Sequence, residues 1–218
     1  MVVYMCGLLL VCCMFEFGKV RFRAVEREDL KLLHVWENDF EVIMYSRSRP
    51  LNFVSVAQLE KQFEEWVKDE RDLRFVVEFA DSKEAMGIAR LEKQDWGNVK
   101  TADVGTYIGK KELWGKGLGR DITVGLLEMA FHQLNMERCQ AFSVEYNYRA
   151  HKVLEACGFK KAGQFREIVH VNGRNWDSYY FDILRGEYVN IRMSLLKETL
   201  GDKLEEYLRK DEKIKEQS

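Results

Sequence analysis

The chain is poor in proline and has no paired-cysteine motif. A single proline, Pro50, occurs in 218 residues, which excludes a Pro-rich linker or polyproline ligand. The five cysteines stand at positions 6, 12, 13, 139 and 157. None forms a C-x-x-C pair, so no metal is expected. An odd count with two adjacent cysteines suits a reducing, cytoplasmic setting better than a disulfide framework. The four histidines, at 34, 132, 151 and 170, are scattered and suggest no triad. No sign of charge dominates: 34 Lys and Arg face 36 Asp and Glu, for a net charge of −2. That balance excludes a nucleic-acid partner bound through bulk charge, and no basic stripe is visible. Residues 1–15 are uncharged. They are too short for a membrane span, and they lack the basic start and small-residue cleavage site of a signal peptide, so no membrane role is expected. Residues 1–13 read as an upstream extension such as a misplaced start codon before Met14 would add. The alternative is an apolar edge strand or a dimer contact.

What is present is a glycine-rich loop, Trp114-Gly115-Lys116-Gly117-Leu118-Gly119-Arg120, between an extended run and a long amphipathic segment. Glycines at alternate positions bare the backbone N–H groups, and the following helix N-terminus favours an anion. A Walker loop would need Ser or Thr after Lys116, and Gly117 follows instead. A dinucleotide loop needs G-x-G-x-x-G; the last gap here is one residue short. A plain strand-to-helix turn remains the bland alternative.

The element pattern around the loop is β-α-α-β-β-β-α-β-α-β-β plus a helix. Strands are expected at Val20–Ala24, Arg74–Phe79, Ala85–Lys93, Ala102–Ile108 and Cys139–Tyr146, with a hairpin of Phe165–Val171 and Asn175–Leu184 around Asn172-Gly173. Helices are expected over Asp29–Phe40, from Ser55 as N-cap to Asp69, from Leu118 along a four-residue stripe to Leu134, and at Ala150–Cys157 with Gly158 as its stop. Leu196, Leu200, Leu204 and Leu208 line a final amphipathic helix. Its stripe must bury on the body or on a second subunit, which allows a homodimer. The organisation is an apolar extension (1–15), one α/β domain (16–188) and a C-terminal helix (189–218).

The loop resembles the acyl-CoA loop of the GNAT N-acetyltransferases, Gln/Arg-x-x-Gly-x-Gly/Ala, with Trp114 at the position of the usual Gln or Arg. A second segment, Asn147-Tyr148-Arg149-Ala150 followed by Leu154-Glu155-Ala156-Cys157-Gly158-Phe159, is similar to that family's other signature. Arg21–Val42 and the stretch from Asn172 to Tyr188 resemble the ribosomal-protein N-terminal acetyltransferase (RimJ/RimL-like) branch. The likeness covers about residues 17–188. It implies a mixed, mostly antiparallel sheet with helices on both faces. It also implies acetyl-CoA as cosubstrate, held by Gly115, Lys116, Gly117, Leu118, Gly119, Arg120, Trp114 and Asn147.

The resemblance further implies that strands splay around Tyr107 and Ser143, and that a backbone N–H near Ile108 and Gly109 receives the thioester oxygen. Asp103, eleven residues before Trp114, stands where histone-acetyltransferase relatives carry a catalytic Glu. It is the expected base, through a water, with Glu92 and Glu145 as alternatives. The usual acid, a Tyr, is Leu154 here, and Ala150 stands where some relatives have Ser. Tyr146, Tyr148, Cys157 or water is left to protonate the thiolate. The acceptor implied by the branch is a protein N-terminal α-amine. A polyamine or other small amine is the alternative, with Glu41, Glu64 and Asp177 as its carboxylates. A third reading is a CoA-binding regulator without catalysis.

Overall fold

The computed structural model describes residues 14–46, 53–94 and 97–216; the expected extension over 1–13 and Pro50 lie outside them. Among these residues eight strands form one sheet: β1 (Met14–Phe17), β2 (Val20–Ala24), β3 (Asp72–Phe79), β4 (Ala85–Gln94), β5 (Thr101–Ile108), β6 (Arg138–Val144), β7 (Lys160–Val171) and β8 (Arg174–Leu184). Their order is β1-β2-β3-β4-β5-β6-β8-β7. Every pairing is antiparallel except β5 with β6. One strand, β1, was not expected; it returns on β2 through a turn at Gly18, whose φ is 62°. The Asn172-Gly173 hairpin forms as the sequence suggests, with φ of 53° and 72° at the two turn residues.

Among the described residues seven α-helices cover the two faces: α1 (Leu30–Trp36), α2 (Phe40–Ser46), α3 (Val56–Lys68), α4 (Leu118–Leu127), α5 (Tyr148–Ala156), α6 (Arg185–Leu200) and α7 (Leu204–Glu216). One face packs Leu30, Leu33, Trp36 and Leu59 of α1 and α3 on Val76 and Ile88. The other packs Leu118, Ile122, Leu126, Leu154 and Leu196 of α4, α5 and α6 on Val77, Leu91, Ala102, Val104 and Ala141. Alternate residues of each strand therefore enter different cores.

Three helices depart from expectation. The helix expected over Asp29–Phe40 stops at Trp36, and a helix that was not expected, α2, starts at Phe40, because Asn38 and Asp39 take the backbone for themselves. The Asn38 amide donates to the carbonyls of His34 and Val54 and accepts from Val54 N–H. Asp39 Oδ1 accepts from the N–H groups of Glu41 and Val42, starting α2. The Leu118–Leu134 helix ends at Leu127 and continues as a π-turn over Glu128–Gln133. The terminal helix breaks at Gly201–Lys203 into α6 and α7. The boundary drawn at residue 188 falls inside α6. Leu196 and Leu200 are buried, and Leu204 and Leu208 pack on the same core. The stripe thus covers the body of its own chain, which removes the argument that it needed a second subunit.

Candidate active site

β5 and β6 pair only at Thr101–Arg138, Ala102–Cys139 and Asp103–Gln140. Beyond Asp103 they diverge. Gly109 N–H donates to the Met86 carbonyl at 2.9 Å, which assigns the odd residues of β5 to bonding with β4. The peptide groups of Val104, Thr106 and Ile108 then face the gap. Glu145 N–H likewise donates to the Asp177 carbonyl at 2.9 Å, so those of Phe142 and Val144 face the gap from β6. The splay leaves peptide groups on both strand edges that an amide-bearing chain could join, as the resemblance implied; the Ile108 carbonyl is taken by the Trp114 indole, and the Val144 carbonyl by Asn147 N–H and the His151 ring.

A cavity of about 790 Å³ opens from this gap. Its floor is Val104–Ile108 of β5 and Ala141–Val144 of β6, and Thr123, Leu126, Val153 and Leu154 wall it from α4 and α5. The loop Trp114–Gly119 closes one end. Gly115 and Gly117 have φ of 76° and 82°, and a Cβ at either would meet nothing within 4 Å. Their backbone and the first turn of α4 form an anion cradle. Lys116, Arg149 and Lys152 add positive charge beside it. Trp114 explains its own departure from the usual residue. Its indole N–H donates to the Ile108 carbonyl at 2.8 Å, tying the loop to the end of β5. Its ring meets Tyr45 edge-on at 5.8 Å and lies under the Arg149 guanidinium at 5.0 Å. Glycine backbone, cations and gap-facing peptide groups together fit a pyrophosphate joined to a pantetheine arm.

Tyr107, Ile108, Trp114, Gly115, Lys116, Gly117, Leu118, Gly119 and Asn147 are brought together around this cavity. Asn147 caps α5, accepting from Ala150 N–H at 3.2 Å, and its amide donates to the Tyr45 carbonyl at 2.8 Å. Gly109, Arg120 and Tyr146 do not line it. Gly109 is needed because the Trp36 ring fills the space its side chain would take. Arg120 turns away to Glu198 of α6, at 2.5 Å. The Tyr146 hydroxyl donates to the Met44 carbonyl at 2.9 Å. Sequence reasoning missed Val42, Tyr45 and Ser46, which α2 carries to the cavity. The Asn38-Asp39 pair was the available signal for α2.

Asp103 lies on the other face of the sheet, in a second cavity of about 430 Å³ with Arg90, Phe142, Phe165, Ile168 and Tyr180. The two cavities share Val104, Gly105, Ala141 and Phe142, so they meet through the splay. Burial pushes the Asp103 carboxyl above its ordinary value, against hydrogen bonds from Gln140 and Gln94 that lower it. Gln140 is itself held by Arg138 at 2.7 Å. Glu92 pairs with Arg90, and Glu145 accepts from Asp177 N–H at 3.3 Å. Glu41, Glu64 and Asp177 do not gather at either cavity: they bond Lys111, Arg27 and the Gln164 and Glu167 region respectively. Among the described residues no His, Cys, Asp and Glu group could hold a metal, and no helix is long and apolar enough to cross a membrane.

Residues 19–160 match the family model of the acetyltransferase (GNAT) domain. The chain is 29% identical to the spermidine N(1)-acetyltransferase of Vibrio cholerae over 173 residues, covering 79% of this chain and 97% of that protein. It is 24% identical to the enzyme of the same name from Escherichia coli K12, over 78% of this chain and 88% of that one. YdaF of Bacillus subtilis, whose name marks it as a candidate ribosomal N-acetyltransferase, is 31% identical over 47% of this chain and 55% of its own. The crystal structure of the Vibrio cholerae spermidine N-acetyltransferase with CoA and spermine superposes with a TM-score of 0.71, at 29% identity, over 79% of this chain and 99% of that one. A splayed sheet, a glycine cradle and this family match converge on one conclusion: the chain belongs to the GNAT family and is an acetyl-CoA-dependent N-acetyltransferase.

Proposed function

We propose that the acceptor is a primary amine of the polyamine class, which meets the thioester from the Asp103 face of the sheet. The likeness to spermidine N(1)-acetyltransferases along most of the chain carries this reading. It favours the polyamine over the protein N-terminus that the branch resemblance put first. The second cavity supports it: one carboxylate, Asp103, stands among the rings of Phe142, Phe165 and Tyr180. Ring faces accept methylenes and ammonium groups alike, and the carboxylate supplies the charge. Arg90 in the same wall is offset by Asp72 and Glu92.

In the proposed reaction Asp103 takes a proton from the amine through a water. The neutral nitrogen attacks the thioester carbon directly, the Ile108 N–H receives the developing oxyanion, and the C–S bond breaks. A protein N-terminal amine keeps the support of the shorter match to YdaF.

Incubation with labelled acetyl-CoA, spermidine, spermine and ribosomal-protein N-terminal peptides tests this. Label should enter spermidine or spermine with kcat/KM at least about tenfold above any peptide. Labelled peptides alone would overturn the acceptor. Tight CoA binding with no turnover on any amine would favour the non-catalytic reading instead.

A further inference from the structure

Two hydroxyls that could serve the departing sulfur are absent, since Leu154 and Ala150 both line the cofactor cavity without one. The other residues named for the task are also disqualified by position. The Tyr146 hydroxyl is bound to Met44. Tyr148 is 67% exposed and outside the cavity wall. The Cys157 thiol is buried in the core, pushed up to about 12, and does not reach the cavity.

Several hydroxyls do line the cavity. Thr106 donates to the Ile88 carbonyl at 3.0 Å, Thr123 to the Gly119 carbonyl at 2.8 Å, and Tyr107 to Glu37 at 3.4 Å. Tyr45 and Ser46 stand on α2, whose Val42 belongs to the other face of the sheet. Ser143 differs from all of these. It is 6% exposed, and its Oγ is buried with no partner among the described residues. It follows Cys139 and Ala141 along the β6 face that meets α4, so it shares Leu154's side of the sheet. The gap-facing peptides of Phe142 and Val144 flank it. A buried hydroxyl without a partner is costly unless something else completes it.

We propose that the Ser143 hydroxyl donates a hydrogen bond to the sulfur as the thioester breaks, acting as the catalytic residue that takes the place of the missing tyrosine. The inference rests on acetyl transfer from acetyl-CoA. The amine nitrogen forms the new C–N bond and loses a proton towards Asp103. The C–S pair leaves with sulfur as thiolate. Ser143 keeps its own proton, because an alcohol is a far weaker acid than a thiol. It stabilises the negative sulfur by donation alone, and the thiolate is protonated by water as the site opens.

The test compares wild type with Ser143→Ala and Ser143→Thr. Ser143→Ala removes a hydroxyl that holds no protein group, so the fold is retained. Turnover should drop about tenfold or more in Ser143→Ala with little change in KM for acetyl-CoA, and Ser143→Thr should recover most of it. A binding measurement is independent of turnover. Above about pH 8.5, where the free thiol ionises, wild type should hold CoA about tenfold more tightly than desulfo-CoA, and Ser143→Ala should lose that preference. Wild-type turnover and an unchanged CoA preference in Ser143→Ala would overturn the proposal. If wild type acetylates no amine at all, the activity reading fails, and the calorimetric preference still decides the role of Ser143.

Discussion

The role proposed for Asp103 rests on its surroundings rather than on its residue type. Its neighbours Gln94 and Gln140 donate to it, while burial raises its pKa above that of a free aspartate. A base must be ionised to act, so the shift carries a sign: activity should fall as pH drops through the raised value, above the acid range of an exposed Asp. Asp103→Asn should lower kcat by about a hundredfold and abolish that acid limb, with CoA affinity held within about twofold. Steady-state pH profiles and calorimetry check both halves; an unchanged profile would remove Asp103 from the reaction. The spacing to Trp114 made Asp103 visible in the sequence, and the alternate glycines made Gly115, Gly117 and Gly119 visible. Gly109 and Arg120 were read as cofactor contacts because they adjoin contacts. Their actual neighbours, the Trp36 ring and Glu198, are 73 and 78 residues away in the chain, and no local pattern encodes such pairings. Ser143 was visible as a splay residue, but its lack of a partner is a property of the folded environment.

Elements follow the same division between local rule and distant override. Ser55 and Gln58 exchange side-chain bonds with each other's backbone N–H, so the start of α3 could be read directly. The stripe Leu118, Ile122, Leu126, Ala130, Leu134 could be read as helical, but a strict four-residue step over-rotates a 3.6-residue helix by about 40° each time. The π-turn over Glu128–Gln133 absorbs that drift. It also turns the Glu128 carboxylate inward, where it is fully buried. Arg192 bonds it twice at 2.8 Å, the Tyr207 hydroxyl donates at 2.7 Å, and Tyr188 donates as well. This carboxylate therefore fastens α6 and α7 to the body. Burial acts to raise its pKa, and the bonds from Arg192, Tyr188 and Tyr207 outweigh it, so the net shift is downward from 4.5. A depressed folded pKa contributes stability that is fully present above the unfolded value and lost as pH falls through the folded one. Glu128→Gln should cost about 3 kcal/mol at neutral pH and flatten the stability loss below about pH 4.5. Denaturant midpoints across pH read both effects, and an unaltered midpoint would show that the α6–α7 attachment does not depend on this charge.

At the scale of the whole molecule, the parallel contact of β5 with β6 stops after three residue pairs, and the sheet opens there. The family resemblance, not the element order, implied which strands flank the gap. It did not foretell that the gap would join two cavities on opposite faces, because that depends on which side chains are missing at the crossing. Gly105 stands at that crossing and lines both cavities. A Cβ built on it meets nothing within 4 Å, and its φ lies outside the left-handed region, so a larger residue would enter open space without backbone strain. Gly105 and Asp103 share one face of β5, so the new side chain would project into the passage on the acceptor side. Valine suits a strand, and Gly105→Val should leave the melting temperature equal or higher. The cofactor edge is made of main chain and of the opposite face, so CoA affinity should change by less than about threefold, while kcat/KM for the amine should fall by about a hundredfold. Retained CoA binding with lost transfer would place the amine's approach through this opening. A variant that acetylates the same amine at the wild-type rate would mean that the acceptor reaches the thioester from the cofactor's own side of the sheet, and Asp103 would then face away from the reaction.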